Sequence, residues 1–389
     1  MNRIPDRTTI SPEAGNLHFR SLVIDTHVDT TQRLLRNTFD LGLRHPDGSV
    51  DIPRLREGGV NAIFFAVWTP GSITGPPAVQ RALDQIEALR RQAELHPQDL
   101  LFVTTAAGIS QACATGHIAI LVGIEGGHLI DSDLSVLAQY HSLGACYMTL
   151  THAVNVEWAD ASTDRPVHNG LTDFGKQVVR EMNRLGMMVD ISHVSDKTFY
   201  DALANSAAPL IATHSSCRAL CDAPRNLSDQ MIRDLAAKGG VVQINFHVGF
   251  LSNKFRAARN ANPQLEQEIE ARMSEICGDK EVSQFTEAGK LIRQFAAQGR
   301  LPRVEWTEIL DHIDHAVKLV GADHVGLGSD FDGADMPYGM DDASYLPRIT
   351  GGLLQKGYCE SDIQKILGGN TLRLMQDVEA IKHKMEGTP

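Results

Sequence analysis

The stretch VIDTHVDT, residues 23–30, starts with an apolar run and ends in polar side chains that a buried strand does not need. Side chains two residues apart on a strand point to the same face, so we expect His27 and Asp29 to lie side by side. Imidazole nitrogen and carboxylate oxygen, without thiolate, are the ligands of catalytic zinc, and manganese or iron accepts them too. The stretch therefore predicts a strand that presents two metal ligands at its carboxyl end.

Seven further apolar runs follow, each succeeded by polar or glycine-rich residues and then by a helical pattern. Their nearly continuous hydrophobicity is typical of parallel strands that are buried on both faces. Eight strands that alternate with helices predict a (β/α)8 barrel of the TIM type. The predicted strands cover residues 21–27, 60–68, 118–125, 145–151, 186–192, 209–214, 240–246 and 324–330.

Amphipathic patterns between these runs predict the helices of the barrel. Thr172 and Ser228 each precede an acidic residue at the start of such a pattern and are predicted helix caps. A doubly wound open sheet is the rival fold, but no Gly-rich phosphate turn follows an early strand. The predicted helices include residues 78–95, 171–185, 228–238, 305–320 and the closing segment 361–385.

The segment 251–303 is charged, helical in pattern and free of predicted strands. It is most simply a helical insertion after the seventh strand. We therefore expect one barrel domain over residues 1–389, with the insertion inside it.

The composition excludes several classes of protein. A net charge of −12 without a basic stripe disfavours nucleic acid as a partner. No run approaches the roughly 20 apolar residues of a membrane span, and the first residues lack the apolar run of a secretory signal. Six dispersed cysteines are typical of reduced thiols in the cytoplasm, and the pair Cys217 and Cys221 is expected to be structural.

Polar side chains close most of the predicted strands. The carboxyl ends of barrel strands form the active-site face, so these side chains should meet there. Such a set of buried charges is unfavourable unless the charges are paired or bound to metal. The residues are His27 and Asp29 on the first strand, Glu125 on the third, His152 on the fourth, His193 on the fifth, His214 on the sixth and Asp330 on the eighth.

Two metal ions fit this set better than one. Even three of these histidines with two or three of the carboxylates exceed the three protein ligands of a single catalytic zinc. Glu125, between glycines in GIEGG, is the predicted bridge between ions roughly 3.5–4 Å apart. A water molecule that bridges two such ions is a hydroxide at neutral pH.

The roles of other residues near the same face of the barrel stay open. Asp332 competes with Asp330, because both are expected to face the same side of the strand. Arg218 and Arg225 follow the sixth strand and are candidates for binding an anionic substrate group. Three histidines have ordinary explanations as loop residues and receive no role, namely His128, His168 and His247.

The sequence resembles the membrane (renal-type) dipeptidase family of binuclear zinc peptidases. The similarity runs from about residue 20 to 375 in the order of that family. The matching stretches are VIDTHVDT, GIEGG, LTHAVNVEWADAS, HNGLTDFGKQVVREMNRLGMMVDISHVSD, THSSCRAL followed by PRN, and DHVGLGSDFDG.

The resemblance implies a role for each matched residue around two zinc ions per chain. His152 would polarise the scissile carbonyl and bind substrate, and Arg225 would hold the C-terminal carboxylate of a dipeptide. Asp330 would serve as general acid and base, with Glu125 completing the catalytic set. The implied metal ligands are His27, Asp29 and Asp330 for the first ion, His193 and His214 for the second, and Glu125 as the bridge.

The family hydrolyses dipeptides, often with a C-terminal D-residue, and is commonly homodimeric. Its animal members are secreted, disulfide-linked and lipid-anchored, whereas this sequence shows no signal, anchor tail or disulfide set, so the resemblance implies a bacterial, cytoplasmic member. The alternative is a related barrel amidohydrolase acting on N-acyl amino acids or another small amide or lactone. A non-catalytic metal-binding scaffold would be expected to lack part of the ligand set, and none is missing here.

Overall fold

A nearly closed barrel of eight parallel strands organises the chain, and a computed structural model describes it over residues 10–35, 39–277 and 284–387. All eight predicted strands are present, and several are shorter than expected. A ninth, short strand was not predicted. In chain order the strands are β1 (Ile24–Val28), β2 (Ala62–Trp68), β3 (Leu100–Phe102), β4 (Ile118–Glu125), β5 (Ala145–Thr149), β6 (Met188–Asp190), β7 (Ile211–Ala212), β8 (Val241–Ile244) and β9 (Val325–Leu327).

The barrel strands follow the order β1, β2, β4, β5, β6, β7, β8 and β9, and each pair is parallel. The extra strand β3 pairs only with the first half of β4, where Leu100 lies opposite Ile118. A strand of only three residues is too short to show a recognisable periodicity in the sequence.

The first and last strands meet through the residues that follow them. Val28 forms a parallel bridge with Phe331. The amide of Asp29 donates to the carbonyl of Phe331 at 2.9 Å, and the amide of Asp330 donates to the carbonyl of His27 at 3.0 Å. This closure brings the HVD segment of β1 next to the residues that follow β9.

The helices that separate the strands agree with the predicted amphipathic segments. Thr172 accepts a hydrogen bond from the amide of Gly175 at 3.3 Å, and Ser228 from that of Met231 at 3.2 Å, so both predicted caps are confirmed. A π-helical turn, Lys365–Gly369, separates the last two helices. The helices are α1 (Pro12–Arg20), α2 (Thr31–Leu34), α3 (Ile52–Glu57), α4 (Pro76–Leu95), α5 (Ala106–Ala114), α6 (Leu134–Ser142), α7 (Asp173–Leu185), α8 (Asp196–Asn205), α9 (Asp229–Ala237), α10 (Val248–Leu251), α11 (Asn253–Asn260), α12 (Pro263–Cys277), α13 (Gln284–Ala297), α14 (Thr307–Val320), α15 (Pro347–Gln355), α16 (Glu360–Gln364) and α17 (Asn370–Glu386).

The segment after β8 is helical, as its sequence pattern predicts. It forms α10 to α13, and residues 278–283 lie outside the described part of the chain. Ile269 of α12 and Ile292 and Phe295 of α13 are buried in the same apolar cluster as the barrel strands. These helices therefore pack onto the carboxyl side of the barrel through their apolar faces.

Every residue of β2 and β4 is buried, which explains their uninterrupted apolar sequences. Gly123 of β4 has a steric role, because a Cβ atom there would lie 1.9 Å from the ring of Tyr147. The glycine thus leaves room for a tyrosine inside the barrel, whose hydroxyl lies 2.9 Å from Nδ1 of His27.

The described cysteines are all free thiols. Cys217 and Cys221 are buried, and each Sγ atom donates to a backbone carbonyl, so their predicted structural role is confirmed. None of the helices in the described ranges combines the length and apolar character needed to cross a membrane.

Candidate metal centre

The predicted strand-end residues come together around Glu125, at the end of β4. Its Oε1 atom lies 3.0 Å from Nε2 of His193, 3.4 Å from Nε2 of His214 and 3.7 Å from Nε2 of His152. Its Oε2 atom lies 3.5 Å from Nε2 of His27. Four imidazoles from four different strand ends therefore converge on one carboxylate.

Three overlapping groups of side chains have ligand atoms within 4.8 Å of one another. One contains both residues of the HVD segment, as predicted. Glu125 belongs to two groups, which is the position expected of a bridge. The groups are His27 with Asp29 and Asp330, His27 with Glu125 and His214, and Glu125 with His152 and His193.

The donor atoms of this cluster suit metal ions. The Nε2 atom of His27 and the Oδ1 atom of Asp29 are buried and have no hydrogen-bond partner within the described ranges. The Nε2 atoms of His193 and His214 face each other at 2.9 Å. The unpartnered lone pairs of His27 and Asp29 are costly unless a cation accepts them. The residues present therefore fit one or two divalent transition-metal ions.

Burial makes the ionised form of the carboxylates in the centre unfavourable without a counter-ion. It raises the pKa of Asp29 well above the ordinary value, and the charges of Glu125 and Asp330 raise it further. Burial also raises the pKa of Asp330. For Glu125, burial acts in the same direction, but the surrounding imidazoles outweigh it and hold the pKa well below the ordinary value.

The imidazoles of His193 and His214 are held in the form that binds metal. Burial lowers the pKa of both His193 and His214 well below that of free histidine, and Arg225 contributes to the shift of each. Neutral imidazole offers a lone pair to a cation, whereas imidazolium offers none. These two rings are therefore neutral and available to a cation, whereas at His27 burial is outweighed by Glu125 and the neighbouring carboxylates, which raise the pKa of the ring.

Tyr147 orients the ring of His27 from below. The hydroxyl group of Tyr147 donates to the carbonyl of Thr26 at 3.2 Å, so it accepts from Nδ1 of His27, which lies 2.9 Å away. A proton on Nδ1 leaves the Nε2 lone pair directed into the cluster.

A threonine and an aspartate orient His214 in the same manner. The hydroxyl of Thr213 donates to Oδ2 of Asp190 at 2.6 Å, and Nδ1 of His214 lies 2.8 Å from that hydroxyl oxygen. The hydroxyl therefore accepts the Nδ1 proton, which leaves Nε2 free to bind a cation. These supporting residues were not predicted from the sequence, although Thr213 directly precedes a predicted ligand.

Asp330 and Asp332 have different environments, and the expectation that both face one side of a strand was wrong. Strand β9 ends at Leu327, and both residues have φ near 66°, a left-handed conformation that is unusual for aspartate. Asp330 points into the centre, where its Oδ2 atom accepts from Asn245 at 2.9 Å. Asp332 instead accepts from the amide of Ser49 at 2.8 Å and from the hydroxyl of Thr30 at 2.6 Å, so it ties surface loops to the barrel.

Gly333 packs directly against a predicted ligand. A Cβ atom at this position would lie 1.5 Å from Oδ2 of Asp29 and 2.9 Å from Oδ1 of Asp330. Only a glycine allows the backbone of the SDFDG segment to approach the carboxylates this closely.

A cavity of about 320 Å³ lies above the cluster, and Arg225 is part of its wall. The Arg225 guanidinium is buried, forms hydrogen bonds to the carbonyl of His214 at 3.2 Å and to the hydroxyl of Ser215 at 3.4 Å, and lies over the ring of Phe250. Within the described ranges it forms no ion pair, and its Nε atom has no hydrogen-bond partner. Burial lowers its pKa to about 10, which still leaves it charged.

Arg218, the other candidate for an anionic group, is already paired. It binds Asp196 through two hydrogen bonds of 2.7 and 2.6 Å. Arg225 is therefore the better candidate for an anionic ligand.

His152 lies between the cluster and the cavity, and its side chain is 20% exposed. Its ring packs edge-on against that of His193 at 4.7 Å between centroids and lies 5.5 Å from that of Trp68. Three histidines left without a role form local contacts, namely His128 with Thr69, His168 with the carbonyl of Val156, and His247 with the amide of Asp335.

The fold is a (β/α)8 barrel whose strand ends bring histidines and carboxylates together beneath a cavity. This combination is typical of the class of barrel proteins with a metal centre. The comparison with protein families is more specific. The chain belongs to the membrane dipeptidase family, peptidase family M19, whose model matches residues 12–388. The resemblance found in the sequence is thus confirmed.

Relatives match nearly the whole chain. Dipeptidase 3 of Mus musculus is 33% identical over 377 residues, which cover 94% of this chain and 66% of that protein. Dipeptidase tcpJ of Claviceps purpurea is 33% identical over 352 residues, which cover 87% of this chain and 72% of that protein. The chain thus spans about two thirds of the length of the mammalian relatives.

Solved structures share the fold. The probable dipeptidase PvdM from Pseudomonas aeruginosa has a TM-score of 0.82 at 26% identity, with coverage of 96% of this chain and 100% of that chain. A metallo peptidase from Rhodobacter sphaeroides, liganded with a phosphinate mimic of the dipeptide L-Ala-D-Ala, has a TM-score of 0.76 at 27% identity. The match covers 92% of this chain and 99% of that chain.

Proposed function

We propose that this protein is a zinc-dependent dipeptidase that hydrolyses the peptide bond of dipeptides. One observation carries the proposal: a single cavity is lined both by the histidine and carboxylate cluster and by the buried, unpaired cation of Arg225. A dipeptide has a carboxylate only one residue from its peptide bond. Such a substrate can therefore reach both features at once.

The proposed centre holds two zinc ions, with Glu125 between them. Its membership of two of the three ligand groups supports this role. The first ion would take His27, Asp29 and Asp330, and the second His193 and His214. When bound, a pair of zinc ions lowers the pKa of a water molecule between them and polarises a carbonyl oxygen.

Asp330 is the proposed proton carrier. Its raised pKa and its hydrogen bond from Asn245 favour a carboxylate that accepts a proton while staying in one orientation. It would take a proton from the attacking water and pass it to the nitrogen of the leaving amine.

His152 and Arg225 are the proposed substrate-binding residues. Burial lowers the pKa of His152, so the imidazole is neutral and can donate a hydrogen bond to the carbonyl oxygen as negative charge develops there. Arg225 would hold the C-terminal carboxylate, and its burial strengthens that ion pair because water screens it little.

We further infer that a C-terminal D-residue is accepted. The support is that the Rhodobacter sphaeroides metallo peptidase, 27% identical to this chain, carries a mimic of L-Ala-D-Ala. The resemblance to the family likewise supports a homodimer. We also infer that residues 251–303 are an insertion within one barrel domain.

The test is hydrolysis of L-Ala-L-Ala and L-Ala-D-Ala by the full chain after metal removal and reloading. We expect turnover only after zinc is added, with two ions bound per chain. We also expect Glu125→Gln to lose both turnover and the full metal complement, whereas Glu87→Gln, on the exposed face of α4, keeps both. Absence of dipeptide hydrolysis with zinc, manganese and iron alike would refute the proposal, and activity only on N-acyl amino acids would favour the amidohydrolase alternative.

A further inference from the structure

Part of the cavity wall is built by the helices that follow β8. Ile269 of α12 and Ala288 and Ile292 of α13 line it. The two isoleucines are 7% and 6% exposed, so their remaining surface borders the cavity and the core. This aliphatic wall offers no hydrogen bond to a ligand.

Asp335 stands beside this wall and lines the same cavity. Its backbone is fixed, because its amide donates to Nδ1 of His247 at 3.2 Å and its carbonyl accepts from the amide of Val248 at 2.9 Å. Its carboxylate lies against α13, where a Cβ atom on Gly289 would approach Oδ1 to 3.2 Å. The glycine leaves space for the acidic group.

The carboxylate of Asp335 has no partner of its own among the described residues. The three other carboxylates that line the cavity belong to the metal-ligand groups, whereas Asp335 belongs to none. Within the described ranges no hydrogen bond or ion pair reaches its side-chain oxygens. Burial raises its pKa to about 6, although two arginines nearby act in the opposite direction.

Those two arginines are paired with other carboxylates. Arg259 binds Glu266 through two hydrogen bonds of 2.6 and 2.5 Å. Arg293 binds Asp341 and the carbonyl of Met336. The charge of Asp335 is therefore left in excess in this part of the cavity, next to an aliphatic surface.

We propose that Asp335 and the wall of Ile269, Ala288 and Ile292 form a side-chain subsite for a basic residue of the substrate, such as lysine or ornithine. The methylene stem would pack on the aliphatic wall, and the terminal ammonium would pair with the carboxylate. This inference rests on the proposed dipeptidase function and adds a substrate class to it.

The experiment compares substrates that differ only in the ammonium group. The zinc-loaded full chain is assayed with Ala-Lys against Ala-norleucine, and with Lys-Ala against norleucine-Ala. We expect kcat/KM to be at least about tenfold higher for lysine at one of the two positions, as an ion-paired hydrogen bond predicts. In Asp335→Asn this lysine-to-norleucine ratio should fall by about the same factor.

Asp311→Asn is the matched control, because Asp311 pairs with Lys356 on the surface and is not among the residues that line the cavity. It should keep the wild-type ratio. A wild-type ratio near one at both positions would overturn the subsite even if the variant failed to fold. An equal loss on both substrates in Asp335→Asn would also overturn it. Failure to hydrolyse any dipeptide would instead contradict the proposed function itself.

Discussion

The amide of Asp330 donates a hydrogen bond of 3.0 Å to the carbonyl of His27, which joins the two ends of the barrel sheet. The reciprocal contact runs from the amide of Asp29 to the carbonyl of Phe331 at 2.9 Å. Through these two bonds, the closing of the barrel places three side chains within reach of one ion, namely His27, Asp29 and Asp330. Barrel closure therefore brings this group of side chains together.

The two aspartates of the SDFDG segment should respond differently to the same substitution. Asp330→Asn removes the proposed proton carrier, and we expect kcat on dipeptides to fall by about 10²–10⁴ while the fold is kept. Asp332→Asn disturbs the bonds to Ser49 and Thr30, and we expect a loss of stability of about 1–3 kcal/mol with most of the activity retained. Thermal unfolding and steady-state kinetics on both variants separate the effects. Equal kcat losses in both would contradict the assignment.

Tyr147→Phe should weaken metal binding without damaging the fold. The variant removes the oxygen that accepts the Nδ1 proton of His27, so the ring can rotate or change tautomer. Loss of such a supporting partner typically lowers metal affinity by about 10–100-fold. Competition with a chelator measures this affinity directly.

Tyr140→Phe provides the control for Tyr147→Phe. Tyr140 is also fully buried, and its hydroxyl donates to the carbonyl of Leu129 at 2.7 Å, away from the centre. Both variants should lose similar stability, about 1 kcal/mol. Only Tyr147→Phe should release metal more readily, and equal affinities in the two variants would contradict the orienting role.

Gly333→Ala should disrupt the centre by steric overlap. The new methyl group would lie 1.5 Å from Oδ2 of Asp29, so the carboxylate or the loop must move. We expect metal affinity to drop by at least about tenfold, measured as metal bound per chain under a limiting chelator. Gly351→Ala is the control, because its methyl group would meet its nearest neighbour at an ordinary 3.7 Å. Full metal retention in Gly333→Ala would show that the loop can move to accommodate the methyl group, and it would contradict this prediction.

The convergence of the strand-end side chains was predictable because the geometry of a parallel barrel alone brings carboxyl ends together. Glu125 and His214 required only recognition of an apolar run and the polar residue that ends it. The supporting contacts were not predictable in this way. Tyr147 reaches His27 across the barrel interior from 120 positions further along the chain, and no local pattern encodes such a contact. The left-handed backbone at Asp330 likewise breaks the period-two geometry from which its direction had been inferred.

The subsite proposed at Asp335 could not be predicted from the sequence for the same reason. Its isolation depends on Arg259 and Arg293 each being paired elsewhere, which follows from packing between the helices after β8 and the loop after β9. In the sequence, Asp335 is one acidic residue among many.

Arg225→Ala should raise KM for dipeptides by about 100-fold, since it removes the one cavity-lining arginine in the described ranges that forms no ion pair. Arg218→Ala, which breaks only the pair with Asp196, should leave KM within about twofold of the wild type. The decisive comparison uses dipeptides with a free or an amidated C-terminus. If Arg225 binds the carboxylate, amidation should raise KM in the wild type but add little in Arg225→Ala. A KM that responds to amidation equally in both proteins would mean that another residue holds the C-terminus.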